Sequence, residues 1–250
     1  MKILRTPDAC FDNLVGYPFE PHYLEISDGE GQDGTLRVHY VDEGPRDAAP
    51  VVFLHGNPTW SYLLRKIIVP IMATGHRTIA LDLVGTGRSD KPSEMKDYTV
   101  ARHVEWIRAA IVDALDLHDV SFVLHDWGGI IGLRILGEHP DRIARVCISN
   151  TALPVRDPAE PLPPGPHPPS GPLAGFQKMV REAPSWPHWE MLRALTIADL
   201  PQEVVDGFHA PYPEPKYLAG NRQFTQLLPT TPDNLMYPAK RGGLAGRPAW

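Results

Sequence analysis

The chain has 250 residues and carries 24 lysines and arginines against 30 aspartates and glutamates, a formal charge of −6. At about 150 residues per domain that length suggests one large domain, or one domain carrying an insertion. A hydrophobic share of 42% excludes wholesale disorder, and a mildly acidic chain without a basic run advertises neither a nucleic-acid nor an anionic-membrane surface.

The apolar runs, such as residues 51–54, are far shorter than the ~20 residues that span a bilayer. The opening MKILRTPD breaks before a signal-peptide stretch could develop. Two cysteines, Cys10 and Cys147, make neither a disulfide framework nor a metal cluster. These features predict a soluble cytoplasmic protein.

In chain order, Leu36-Arg37-Val38-His39-Tyr40-Val41 alternates apolar and polar residues and predicts a half-exposed strand. Residues 51–54, closed by His55-Gly56, predict a strand buried on both faces. A helix is expected over 59–73, ended or kinked by Pro70. Residues 78–81 form the next buried strand, followed by the loop 84–90. Val100, Val104, Ile107, Ile111 and Leu115 recur three or four apart and predict an amphipathic helix over 99–117. A strand at 120–124, a helix at 128–139 stopped by Pro140, and a strand at 143–149 complete the alternation. Strands alternating with helices argue for a mostly parallel α/β sheet with helices on both faces.

The alternation then stops. Pro161, Pro163, Pro164, Pro166, Pro168, Pro169 and Pro172 make a stiff, polyproline-like linker. Helical patches follow it, with Trp186 and Trp189 three apart, a spacing that suits core packing. The expected division is a core over 1–153, a Pro-rich linker over 154–172, a helical cap over 173–235 and an irregular tail over 236–250.

The sharpest feature is His125-Asp126-Trp127-Gly128-Gly129, where a strand turns directly into a helix. Such a turn presents its central residue at the carboxyl end of the sheet, where open α/β folds bind ligands. The serine version is the G-x-S-x-G elbow; here the centre is Asp126, and Leu124 fills the place of the first glycine. An aspartate is ionised at neutral pH and attacks carbon without a base. It suits displacement at a saturated carbon, giving an ester that water must then hydrolyse. The pentapeptide alone leaves a second reading open, in which Asp126 simply caps the helix. His55 and His125 read as structural, and Asp82 with the Gly85-Thr86-Gly87 run reads as loop-shaping, since no G-x-G-x-x-G spacing is present.

A second run, His55-Gly56-Asn57-Pro58-Thr59-Trp60, follows an earlier strand and should end beside Asp126 at the same sheet edge. With the HDWGG elbow it resembles the haloalkane dehalogenases of the α/β-hydrolase superfamily. The resemblance extends through Arg5-Thr6-Pro7-Asp8, Tyr40-Val41-Asp42-Glu43-Gly44, residues 85–92, Ala210-Pro211-Tyr212-Pro213 and Tyr217-Leu218-Ala219-Gly220. It implies an α/β-hydrolase core with a helical cap, no cofactor or metal, and a small haloalkane, water and halide as partners. It further implies Asp126 as nucleophile, with the Trp127 indole N–H and the Asn57 amide holding the halide. The backbone N–H groups of Asn57 and Trp127 would form the oxyanion hole. Ordinary packing for Trp127 and a turn role for Asn57 are the plain alternatives.

The sequence departs from the family at several positions. Phe176 falls where some relatives place a second halide-binding tryptophan, and it has no N–H to donate. Asn150 stands where others carry an acid. Of the eleven histidines only His139, His167, His188 and His209 follow the elbow, none after a further strand pattern. This ordering predicts that the final strands, the acid and the base histidine are missing through truncation or a frameshift near residue 240. An epoxide hydrolase, with Tyr212 and Tyr217 as acids, and a catalytically incomplete fragment or binding protein remain the rival readings.

Overall fold

The computed structural model describes residues 1–29, 34–151, 171–184, 186 and 188–228. Among the described residues there are eight strands, β1 (Ile3–Leu4), β2 (His22–Ser27), β3 (Thr35–Glu43), β4 (Pro50–Leu54), β5 (Arg77–Leu81), β6 (Lys91–Pro92), β7 (Val120–His125) and β8 (Ile143–Ser149). The α-helices are α1 (Arg65–Met72), α2 (Val100–Arg108), α3 (Trp127–Glu138), α4 (Gly171–Glu182), α5 (His188–Ala194), α6 (Gln202–His209) and α7 (Ala219–Leu227). Six strands form the central sheet in the order β2-β3-β5-β4-β7-β8, while β1 and β6 pair separately. The β5-β4-β7-β8 portion is parallel, and β2-β3 and β3-β5 are antiparallel.

The predicted alternation is present, with physical exceptions. The strand β2 had no clean period-2 signal; it forms by pairing antiparallel with β3 along its whole length. A 3-10 turn at Ser61–Leu64 precedes α1, which runs on past Pro70 to Met72. Only the bond that the proline N–H would have made is lost so near the helix end. The predicted 99–117 helix keeps its start, where the Thr99 side chain accepts from the Arg102 N–H at 3.1 Å, but continues after Arg108 as a π-helical stretch at Ala109–Ala114. Most of the Pro-rich linker and the tail beyond residue 228 lie outside the described residues.

The core sits on both faces of the sheet because successive side chains of a strand point to opposite sides. In β4, every residue of which is buried, Val52 and Leu54 join Trp106, Ile107, Ile131 and Ile135 from α2 and α3. Val51 and Phe53 instead join Tyr17, Trp60, Tyr62 and Ile68. The strand β8 is mostly exposed, with Ile148 at 52%, so among the described residues it forms one edge of the sheet. A smaller cluster gathers Val180 of α4 with Trp186, Tyr212, Tyr217 and Leu218 from the segments between the later helices. Hydrogen bonds join this region to loops of the core: Trp60 Nε1 donates to Gly207 O at 3.1 Å, and Thr6 Oγ1 to Pro211 O at 2.7 Å. No helix among the described residues is long and apolar enough to cross a membrane.

Candidate active site

The parallel neighbours β4 and β7 run in register, Leu54 beside Leu124. The runs that follow them, His55-Gly56-Asn57 and Asp126-Trp127, therefore emerge side by side at the carboxyl edge. Asp126 is the single residue between β7 and α3, with φ 50° and ψ −120°. Such a conformation costs a non-glycine residue about 1–3 kcal/mol and persists only where its surroundings enforce it. Two glycines allow the turn. A side chain on Gly128 would run into the Leu54 carbonyl, and one on Gly56 into the Asp126 side chain itself. Thr151 Oγ1 also donates to the Asp126 carbonyl at 2.6 Å.

The Asp126 carboxylate makes no capping bond to α3, so the plain reading of this residue as a helix cap fails. Its Oδ1 accepts the backbone N–H of Asn57 at 2.8 Å. Trp127 is buried and packs against Phe224 at 5.0 Å between ring centroids. A cavity of about 550 Å³ opens here, and its wall includes Asn57, Asp126, Trp127 and Phe176. All four residues singled out from the sequence thus meet around one space. Met179, Met191, Ala194, Leu195 and Leu228 make the rest of the wall largely apolar, with Glu190 and Thr225 as further polar groups. These lie on or just after α4, α5 and α7, at positions outside the runs that the sequence singled out. Only their helical spacing was legible, and spacing does not tell a cavity wall from a packed face.

The other sequence candidates stand outside this wall. His55 is buried; its Nδ1 lies 2.9 Å from the Gly56 carbonyl and its Nε2 accepts the Leu83 N–H at 3.0 Å. Burial pushes its pKa below the ordinary value, as suits a neutral structural ring. Asp82 shapes its loop by accepting the N–H groups of Ser61 and Arg88 at 2.8 and 2.9 Å. Burial would raise its pKa, but the neighbouring His39 outweighs that and holds the group well below the usual carboxylate range. Tyr212 and Tyr217 are buried in the cluster with Val180 and Trp186 and do not line the cavity.

Behind Trp127, Phe224 stacks on His103 at 4.3 Å, and neither nitrogen of that buried ring has a partner. Burial, with a smaller contribution from His55, pushes the His103 pKa down to about 3. Between that value and the unfolded value near 6.5 the unfolded chain binds a proton that the folded chain does not. Stability is therefore complete above pH 6.5 and falls on acidification, by about 1.4 kcal/mol per pH unit. Through this one group, melting at pH 5 should come about 4–8 °C below melting at pH 7.5. His103→Phe should narrow that gap in thermal scans; an unchanged gap would mean that His103 is not the acid-sensitive group.

Known proteins share this fold. The family described as the α/β hydrolase fold matches residues 49–189. A haloalkane dehalogenase of Psychrobacter cryohalolentis is 47% identical over 250 residues, covering all of this chain and 77% of the relative. The chain belongs to the haloalkane dehalogenase family. Haloalkane dehalogenase 1 of Mycobacterium tuberculosis is 46% identical, again across the whole chain and 79% of its own length. Among solved structures, the tetrameric haloalkane dehalogenase DpaA from Paraglaciecola agarilytica NO2 superposes with a TM-score of 0.82 at 32% identity. That match covers 98% of this chain and 77% of the other. The parallel α/β sheet expected from the alternation, and the α/β-hydrolase fold that the resemblance implied, are the fold found.

Proposed function

We propose that this dehalogenase-family chain cleaves the carbon–halogen bond of small, uncharged haloalkanes through an alkyl ester on Asp126. The observation that carries the reading is the cavity on which Asp126, Asn57, Trp127 and Phe176 converge. We take residues 1–153 as the hydrolase core and the helices from residue 173 onward as its cap; most of the linker expected at 154–172, the last residues of the cap expected to 235 and the tail expected at 236–250 lie outside the described residues.

The Asn57 N–H engages Oδ1 of Asp126, which leaves Oδ2 to attack the carbon. As the new C–O bond forms, the C–X bond breaks and the halide departs with its electron pair. The Trp127 indole N–H and the Asn57 amide are the donors assigned to that growing charge. In a cavity with an apolar wall such donors are worth far more than in water. Phe176 contributes shape and apolar surface, since it has no polar hydrogen. Hydrolysis of that ester needs a water that gives one proton to a base: its oxygen bonds to Cγ, the negative charge gathers on Oδ1 beside the Asn57 N–H and the first amide of α3, and the Cγ–Oδ2 bond then breaks. The alkoxide takes the proton back from the base and leaves as the alcohol, and the new carboxyl group ionises to restore Asp126. The two charged side chains on the wall, Asp126 and Glu190, are both acidic, which suits an uncharged substrate better than a haloacid anion. An epoxide hydrolase would need acids facing the substrate, and the burial of Tyr212 and Tyr217 away from the wall speaks against it.

The halide donors can be tested directly. Trp127→Phe keeps the aromatic bulk but deletes the N–H, and Asn57→Ala deletes the amide. Each should weaken bromide binding, read by tryptophan fluorescence, and slow the alkylation step by about 10²-fold. Unchanged bromide affinity in both variants would leave the assignment without a halide site.

A further inference from the structure

The loop that carries Asn57 is gripped from two sides. From within, Thr59 donates through its N–H and its Oγ1 to the Gly56 carbonyl, at 3.0 and 2.8 Å. From across the chain, His188, the first residue of α5, places Nε2 2.8 Å from the carbonyl oxygen of Pro58, 130 positions away in sequence. A carbonyl oxygen only accepts, so Nε2 carries the hydrogen and donates it. The neutral ring then has a bare Nδ1, which is buried without a partner. The ring itself is 3% exposed and packs against Tyr212 at 4.8 Å and His209 at 5.1 Å. Burial pushes its pKa down to about 4, which agrees with a ring that stays neutral in this tautomer.

Pro58 directly follows Asn57, the residue whose backbone N–H holds Asp126 Oδ1 and whose side chain lies on the cavity wall. The helix that His188 opens also supplies Glu190, Met191 and Ala194 to that wall. One hydrogen bond therefore ties the helix that forms the wall to the loop that presents the donors. We infer that His188 is a positioning residue, which sets the Asn57 donors for the halide by fixing the Pro58 carbonyl from the cap. It acts through Asn57 and does not itself touch the reacting atoms. The inference rests on the halide site proposed above.

Three variants test it, because glutamine reaches with its amide nitrogen about as far as Nε2 of histidine, whereas asparagine falls short and leucine has no donor. His188→Leu and His188→Asn should each weaken bromide binding and slow halide release in a single turnover of 1-bromobutane, by about 10-fold, at unchanged far-UV circular dichroism. His188→Gln should stay within about threefold of the parent chain in both readouts, whatever its melting temperature. A folded Leu or Asn variant with parental bromide affinity and alkylation rate would overturn the inference, as would a Gln variant as impaired as the other two. Trp127→Phe, run alongside, separates the two readings. If it loses bromide binding while the His188 variants do not, the positioning role fails alone; if it too binds bromide normally, the halide site fails first.

Discussion

Incubated with 1,2-dibromoethane or 1-bromobutane, the chain is expected to gain one alkyl group, and peptide mass spectrometry should locate it on Asp126. The expectation follows from geometry and charge together. The carboxylate is held at a strained elbow, is not used to cap α3, and has one oxygen engaged by the Asn57 N–H. An anionic oxygen so placed needs no base to displace a halide at a saturated carbon. Asp126→Ala removes the attacking atom outright, so the alkylation rate should fall by at least about 10⁴-fold, the scale on which nucleophile deletions act. An adduct on another residue, or equal labelling of the Ala variant, would remove Asp126 from the role.

The second large effect concerns the water step. The 250-residue chain should release about one halide per molecule and then keep its alkyl group. Hydrolysis of the ester needs a water activated beside it, and a positioned histidine contributes about 10²- to 10⁴-fold to such a step. Four histidines follow Asp126 in the sequence, and His167 lies outside the described residues. His139 closes the far end of the 12-residue α3, roughly 18 Å away at 1.5 Å per residue. His188 is committed to the Pro58 carbonyl, and His209 packs against His188 without lining the cavity. A burst of halide near one equivalent, followed by a slow or absent steady rate, is the expected time course. Sustained release over many equivalents would contradict it, and His209→Ala would then be the first variant to examine.

Much of this architecture was legible locally. The continuous apolar run at 51–54 becomes β4, buried throughout, because a strand covered on both faces has no polar side to show. The elbow was legible for a related reason: a strand, one carboxylate and two glycines in immediate succession leave the chain few ways to turn. The strand β2 was not legible, since its pairing with β3 supplies what its own pattern lacks. The exposure of β8 was equally hidden, because the sequence of a strand does not state whether a neighbour covers it.

The sequence by itself determined the alternation of strands and helices, the loops that end at one sheet edge, and the residue types gathered there. These are properties of short stretches, set by side-chain period and by the backbone freedom of glycine. Tertiary structure alone removed the helix-cap reading of Asp126. Its partner, Asn57, lies 69 positions away, and no local pattern encodes which donor meets which oxygen. The cavity wall from α4, α5 and α7, and the grip of His188 on the Asn57 loop, were decided in the same way. Both depend on where packed helices come to rest on the sheet, and packing is a property of the whole chain rather than of any segment.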